Sequence, residues 1–134
     1  MADWNAQIIS EFRNDGGNVA TMGFGKTLVL VHSTGAKSGQ PRVNPLRAIP
    51  YDGGWFVAAS AGGAPTDPAW AFNLRAHPDV VVEAPDGSVP ARARELQGAE
   101  RDAAWQHFLD AAPAFAEYEA NAGRPIPVFA LDKA

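Results

Sequence analysis

Four basic side chains, Lys26, Lys37, Arg42 and Arg47, fall within residues 16–51, a stretch without aspartate or glutamate in a chain whose formal net charge is −4. Three of them lie in Thr34-Gly35-Ala36-Lys37-Ser38-Gly39-Gln40-Pro41-Arg42-Val43-Asn44-Pro45-Leu46-Arg47, on a glycine-bearing turn. Backbone N–H groups and cations converge at such a turn, which suits phosphate and carboxylate groups of a small anionic ligand. We read it as a cofactor cradle. Overall acidity opposes non-specific nucleic-acid binding, because a phosphate backbone would meet a repulsive far field.

Other stretches imitate catalytic motifs without completing them. Ala20-Thr21-Met22-Gly23-Phe24-Gly25-Lys26-Thr27 resembles a phosphate-binding P-loop, but Ala20 replaces its first glycine and an apolar strand follows where a helix is needed. Ala58-Ala59-Ser60-Ala61-Gly62 imitates a nucleophile elbow with alanine in the first position. No G-x-G-x-x-G lies between a strand and a helix, so a Rossmann nicotinamide site is not supported. With no cysteine and three scattered histidines (His32, His77, His107), neither a disulfide framework nor a metal site is expected. His32, ending an apolar strand, reads as a rim residue, and the four tryptophans read as core.

The elements that must position the cradle follow from periodicity. Trp4, Ile8, Ile9 and Phe12 recur at helical spacing, with Asp3 placed to cap the helix and Gly16-Gly17 to stop it. Thr27 to His32 suits a strand buried on both faces, and the cradle is the turn after it. Val43 to Pro50 carries or adjoins prolines at 41, 45 and 50, which predicts an edge or irregular strand. Asp52-Gly53-Gly54 turns into the strand Trp55 to Ser60. A glycine-rich loop then leads to a short helix, Pro68 to Ala76, with Asp67 as its N-cap. A second hairpin turns at Pro85-Asp86-Gly87, helices occupy 100–111 and the region of Phe115 and Tyr118, and a last strand runs from Ile126 to Leu131.

About six strands in hairpins with flanking helices predict an α+β fold, a largely antiparallel sheet closing into a small barrel. At 134 residues and 46% hydrophobic content the chain suits a single domain, residues 1–134, with one sizeable core. The N-terminus shows neither a signal peptide nor a membrane span, which predicts a cytoplasmic protein. Trp4 and Phe12 leave peripheral membrane contact open. The oligomeric state stays open between monomer and homodimer.

The cradle stretch through Leu46, then Ala58-Ala59-Ser60-Ala61-Gly62-Gly63, Pro68-Ala69-Trp70-Ala71-Phe72-Asn73-Leu74, Glu100-Arg101 and Arg124-Pro125-Ile126-Pro127-Val128 together resemble the deazaflavin-dependent nitroreductase family. The match runs in order from about Asn5 to Leu131. It implies a split β-barrel and coenzyme F420, a deazaflavin with a phosphate and a tail of glutamates. By position, the resemblance places Ala36, Lys37, Ser38, Arg42, Val43, Asn44, Pro45, Leu46 and Arg47 on the cofactor-binding segment. Ala58, Ala59, Ser60 and Ala61, with Ala69, Trp70, Ala71, Phe72 and Asn73, fall on two further segments beside the ring.

Ser60 would hydrogen-bond the ring and Trp70 would wall it. Phe115 and Tyr118 would face the substrate, with Tyr118 or solvent supplying a proton. Family members that reduce bicyclic nitroimidazoles carry a basic residue where this chain has Ala36, a tyrosine at Arg47 and further tyrosines around 110–118, so the acceptor is expected to be a different electron-poor small molecule. The implied activity is an F420H2-dependent oxidoreductase passing hydride to an activated double bond or nitro compound, with no catalytic side chain assigned. The alternatives are an FMN-binding split-barrel enzyme and a cofactor carrier without turnover.

Overall fold

The computed structural model describes residues 2–21, 24–51, 53–59 and 66–134, with residues 2–5 as backbone only. Helix α1 (Ala2–Asn14) leads into the barrel strands β1 (Leu28–Thr34), β2 (Pro41–Tyr51) and β3 (Gly54–Ala58). Helix α2 (Ala69–Ala76) separates these from β4 (Asp79–Ala84) and β5 (Gly87–Glu95). Helices α3 (Gly98–Ala111) and α4 (Ala114–Ala122) precede the closing strand β6 (Val128–Lys133).

The six strands form a closed barrel in the ring order β1-β2-β3-β6-β5-β4, every neighbour antiparallel. Alternate side chains of a strand face opposite sides. Val29 and Val31 of β1 therefore point inward and join Ala48, Val57, Val82, Phe129 and Leu131 in the interior cluster. Leu28 and Leu30 point outward and are covered by Ile8 and Phe12 of α1. Double coverage explains the continuous apolar run of β1. On the far side, α3 and α4 cover Val128 and Ala130 with Trp105, Phe108 and Phe115.

Helix α1 stops as its glycines require. Gly16 takes the left-handed conformation at φ 60°, and the Gly17 amide donates to the Phe12 carbonyl at 2.8 Å. A Cβ on Gly17 would stand 2.4 Å from the Pro85 Cβ, so the same residue also lets the β4–β5 turn approach. At its other end the helix begins at Ala2, which puts Asp3 inside the first turn and not ahead of it as a cap.

Two further expectations are corrected. Strand β2 is a regular strand within the closed barrel and not an outermost one, laddered on one side at a time: residues 41–47 pair with β1 and residues 48–51 with β3. Because β2 changes partner along its length, its three prolines never need to serve ladders on both sides. Asp67 does not cap α2, which has Pro68 at the N-cap position and no side-chain cap bond. Its carboxylate accepts instead from Arg75 (3.0 Å) and Arg124.

Candidate active site: a cationic cradle at one mouth of the barrel

Helix α2 plugs one mouth of the barrel, and the turn between β1 and β2 lies against it. Inside that turn the Gly35 amide donates to the Gln40 carbonyl (2.8 Å) and the Gly39 amide to the Gly35 carbonyl (3.0 Å). The Ser38 hydroxyl oxygen accepts from the Gln40 amide (3.2 Å) and from Arg42 Nη2 (3.3 Å). A Cβ on Gly35 would sit 2.5 Å from that oxygen, so glycine makes room for the knot. The Ala36 amide donates to Asn73 Oδ1 at 2.8 Å, tying the turn to α2 through a buried side chain.

Helical spacing sorts α2 into two faces. Ala71 and Leu74 enter the interior cluster, and Trp70 packs inward on Phe129 with ring centroids 5.9 Å apart. Ala69, Phe72 and Asn73 face the cradle, where Phe72 is 50% exposed. Together with Gly35, Ala36, Lys37, Ser38 and Arg42 they line an open cavity of about 430 Å³. Small residues and a half-exposed aromatic ring, with the Arg75 guanidinium carbon 5.5 Å from its centroid, thus stand beside a set of donors.

Electrostatics mark this cavity out. All six arginines outside residues 16–51 pair with carboxylates: Arg13, Arg75, Arg92, Arg94, Arg101 and Arg124. Among the described residues Lys37 and Arg42 have no acidic partner, and the amides of Lys37 and Ser38 have no intramolecular acceptor. These donors stand on an exposed turn open to a ligand, and an anion answers both charge and hydrogen bonding.

The sequence-nominated residues separate along β2. Arg42 reaches the cradle, Val43 packs beneath α1, and Leu46 faces the interior. Asn44 and Pro45 stand opposite Val31 and Leu30 in the body of the sheet. Arg47 pairs in register with Leu28, five residues and about 17 Å of strand from Arg42. Ala58 lies on the α3 side and Ala59 in the interior, while Ser60 and Ala61 lie outside the described residues. Phe115 is buried among Trp105, Phe108 and Tyr118 on the α3–α4 face, apart from the cradle lining.

Sequence reasoning missed the ionic brace behind the site. Arg124 donates to the Ala59 carbonyl (3.2 Å), the Thr66 carbonyl (3.0 Å) and Asp67. Asp67 in turn accepts from Arg75, which donates twice to Glu95 at 2.9 Å. Pairing with Glu95 first, and with Asp67, pushes the Arg75 pKa further up. No spacing in the chain joins residues 67, 75, 95 and 124, so only the fold reveals this chain of charges.

The geometry fits a ligand with an anionic end on the cradle and a flat end along α2. Residues 5–133 match the family described as F420H(2)-dependent quinone reductase. The chain belongs to that family. An F420H(2)-dependent quinone reductase of Mycobacterium tuberculosis strain H37Rv is 34% identical over 108 residues, which are 78% of this chain and 72% of the relative. A solved F420-H2 dependent reductase, FDR-A, superposes with TM-score 0.72 at 43% identity, covering 78% of this chain and 92% of its own. A structure described as a domain-swapped dimer matches with TM-score 0.74 at 37% identity over 96% of both chains. Six antiparallel strands with four helices are thus the family's barrel, and the family's hydride donor is reduced coenzyme F420.

Proposed function

We propose that this chain holds F420H2 in the cradle between the β1–β2 turn and α2 and reduces a quinone laid against the exposed edge of α2. The lack of any acidic partner for Lys37 and Arg42 among the described residues, in a protein whose six arginines outside residues 16–51 all meet carboxylates, is the observation that carries this reading. Coenzyme F420 supplies a hydride from its reduced ring when bound. Lys37, Arg42 and the free amides of Lys37 and Ser38 bind its phosphate or tail carboxylates by charge-assisted bonds. Ala69 lets the ring approach the helix, and Phe72 offers an aromatic face for stacking. Asn73 keeps the turn in register with the helix, so anionic anchor and ring platform hold a fixed separation. The proton that follows the hydride comes from solvent through the open cavity, since Tyr118 stacks edge-on against Phe115 outside the cradle lining.

A fluorescence titration tests the site. We expect F420 to bind and FMN to bind more weakly, with Lys37→Ala losing about 1–3 kcal/mol of F420 affinity at moderate salt. Unchanged affinity in Lys37→Ala, or preference for FMN, would show that the cradle is misassigned. Oxidation of F420H2 by a soluble quinone, absent with nitroimidazole, then distinguishes the acceptor class. The same reading extends to assembly as a homodimer, supported by the relative described as a domain-swapped dimer and tested by light scattering.

A further inference from the structure

Among the described residues, a hollow larger than the cradle lies elsewhere. At the mouth of the barrel opposite α2, a cavity of about 650 Å³ opens to solvent, within the size range of small-molecule sites. Its walls include Val29, Ala48, Trp55 and Val89 of the interior cluster. Lys26 and Lys133 stand on the rim, at the start of β1 and the end of β6. In the ring order these strands are three places apart whichever way one counts, so the two lysines stand on opposite sides of the opening that both line. Neither has a carboxylate partner among the described residues, and Lys133 Nζ lies 5.2 Å from the Trp55 ring centroid. Asp86, on the β4–β5 turn, is the described rim carboxylate, while Asp52 lies outside the described residues.

We propose that this mouth is a second binding site, for a small amphipathic anion whose apolar body enters the lumen and whose carboxylate or sulfonate head lies between Lys26 and Lys133. Apolar walls take hydrocarbon out of water, while two unpaired amines against one described acid favour negative charge at the rim. Strand β1 runs between the two mouths, seven residues or about 20 Å, so this site is separate from the cradle and does not depend on what the cradle binds.

Octanoate, octanol and octylamine, each below its aggregation threshold, are the probes, read by calorimetry and backbone-amide NMR on the intact chain. Octanoate binds saturably, octanol more weakly and octylamine most weakly. Octanoate shifts the resonances of Val29, Ala48, Trp55 and Val89 and leaves Ala36 and Asn73 in place. Lys26→Gln with Lys133→Gln, both exposed positions, lowers octanoate affinity about fivefold, the range for two solvent-screened charges, and leaves octanol affinity, melting temperature and F420 binding unchanged. Absence of saturable octanoate binding, shifts centred on the cradle, octylamine binding as tightly as octanoate, or an unaltered octanoate affinity in the double variant would each overturn the proposal.

Discussion

The bond from the Ala36 amide to Asn73 is a single contact on which two parts of the site depend. Asn73→Leu keeps the volume but removes the acceptor, leaving a part-buried N–H without a partner, at a cost of about 1–3 kcal/mol. We expect F420 affinity to fall as well, because the turn is then free to shift against α2. Stability from urea titration and affinity from fluorescence check the two effects separately; loss of stability with unchanged affinity would mean that Asn73 is purely structural. Ser33 predicts the opposite sign. Ser33 is 6% exposed on β1 and its hydroxyl has no hydrogen-bond partner among the described residues, so the fold carries an unsatisfied polar group. Ser33→Ala should stabilise the protein by about 1 kcal/mol in the same titration. Sequence composition could nominate Asn73 and Lys37 separately, but residues 36 and 73 are joined only by tertiary geometry.

Elements were more legible than their neighbours. The alternation and turn residues of β4–β5, and the paired glycines that end α1, identify those elements locally, because the chemistry that builds them lies within a few residues. The partner change of β2 was not legible, since a proline run looks the same whether or not the strand serves two ladders at once. Nor was the role of Asp67, which has the spacing of an N-cap yet meets two arginines. That brace fixes β3, α2 and the segment before β6 relative to each other through Arg124. Arg124→Met keeps most of the side-chain length and removes the donors. We expect a loss of roughly 1–3 kcal/mol, between the values for exposed and buried pairs, together with weaker F420 binding because α2 loses its tether. Arg124→Lys should recover part of the stability but little of the affinity, since one ammonium cannot reproduce the planar fork to two carbonyls and Asp67.

At the scale of the molecule, closure of the barrel rests on β1–β4 and β3–β6 pairing, between strands far apart in sequence, and α1 is fastened across that closure. Arg13 of α1 donates twice to Glu83 of β4, at 3.0 and 3.1 Å, and His32 Nε2 of β1 stands 2.9 Å from the same carboxylate. The Arg13 hydrogen bond, reinforced by His32, holds the Glu83 pKa below its ordinary value of 4.5. A carboxyl group with a depressed folded pKa binds fewer protons when folded than when unfolded, so stability rises with pH through the interval between the two values. Its contribution is complete above the ordinary carboxylate range and is lost as pH falls through the folded value. Because the Arg13 side chain is 49% exposed, the contribution stays below about 1 kcal/mol. Glu83→Gln removes the charge while keeping the shape. We therefore expect the variant to melt a few degrees lower than the parent at pH 7, a gap that narrows with added salt and with acidification below the ordinary carboxylate range. Thermal unfolding across that range checks the sign, and a gap that stayed constant down to pH 3 would show that packing of Ile8 and Phe12, not charge, holds α1 on the barrel.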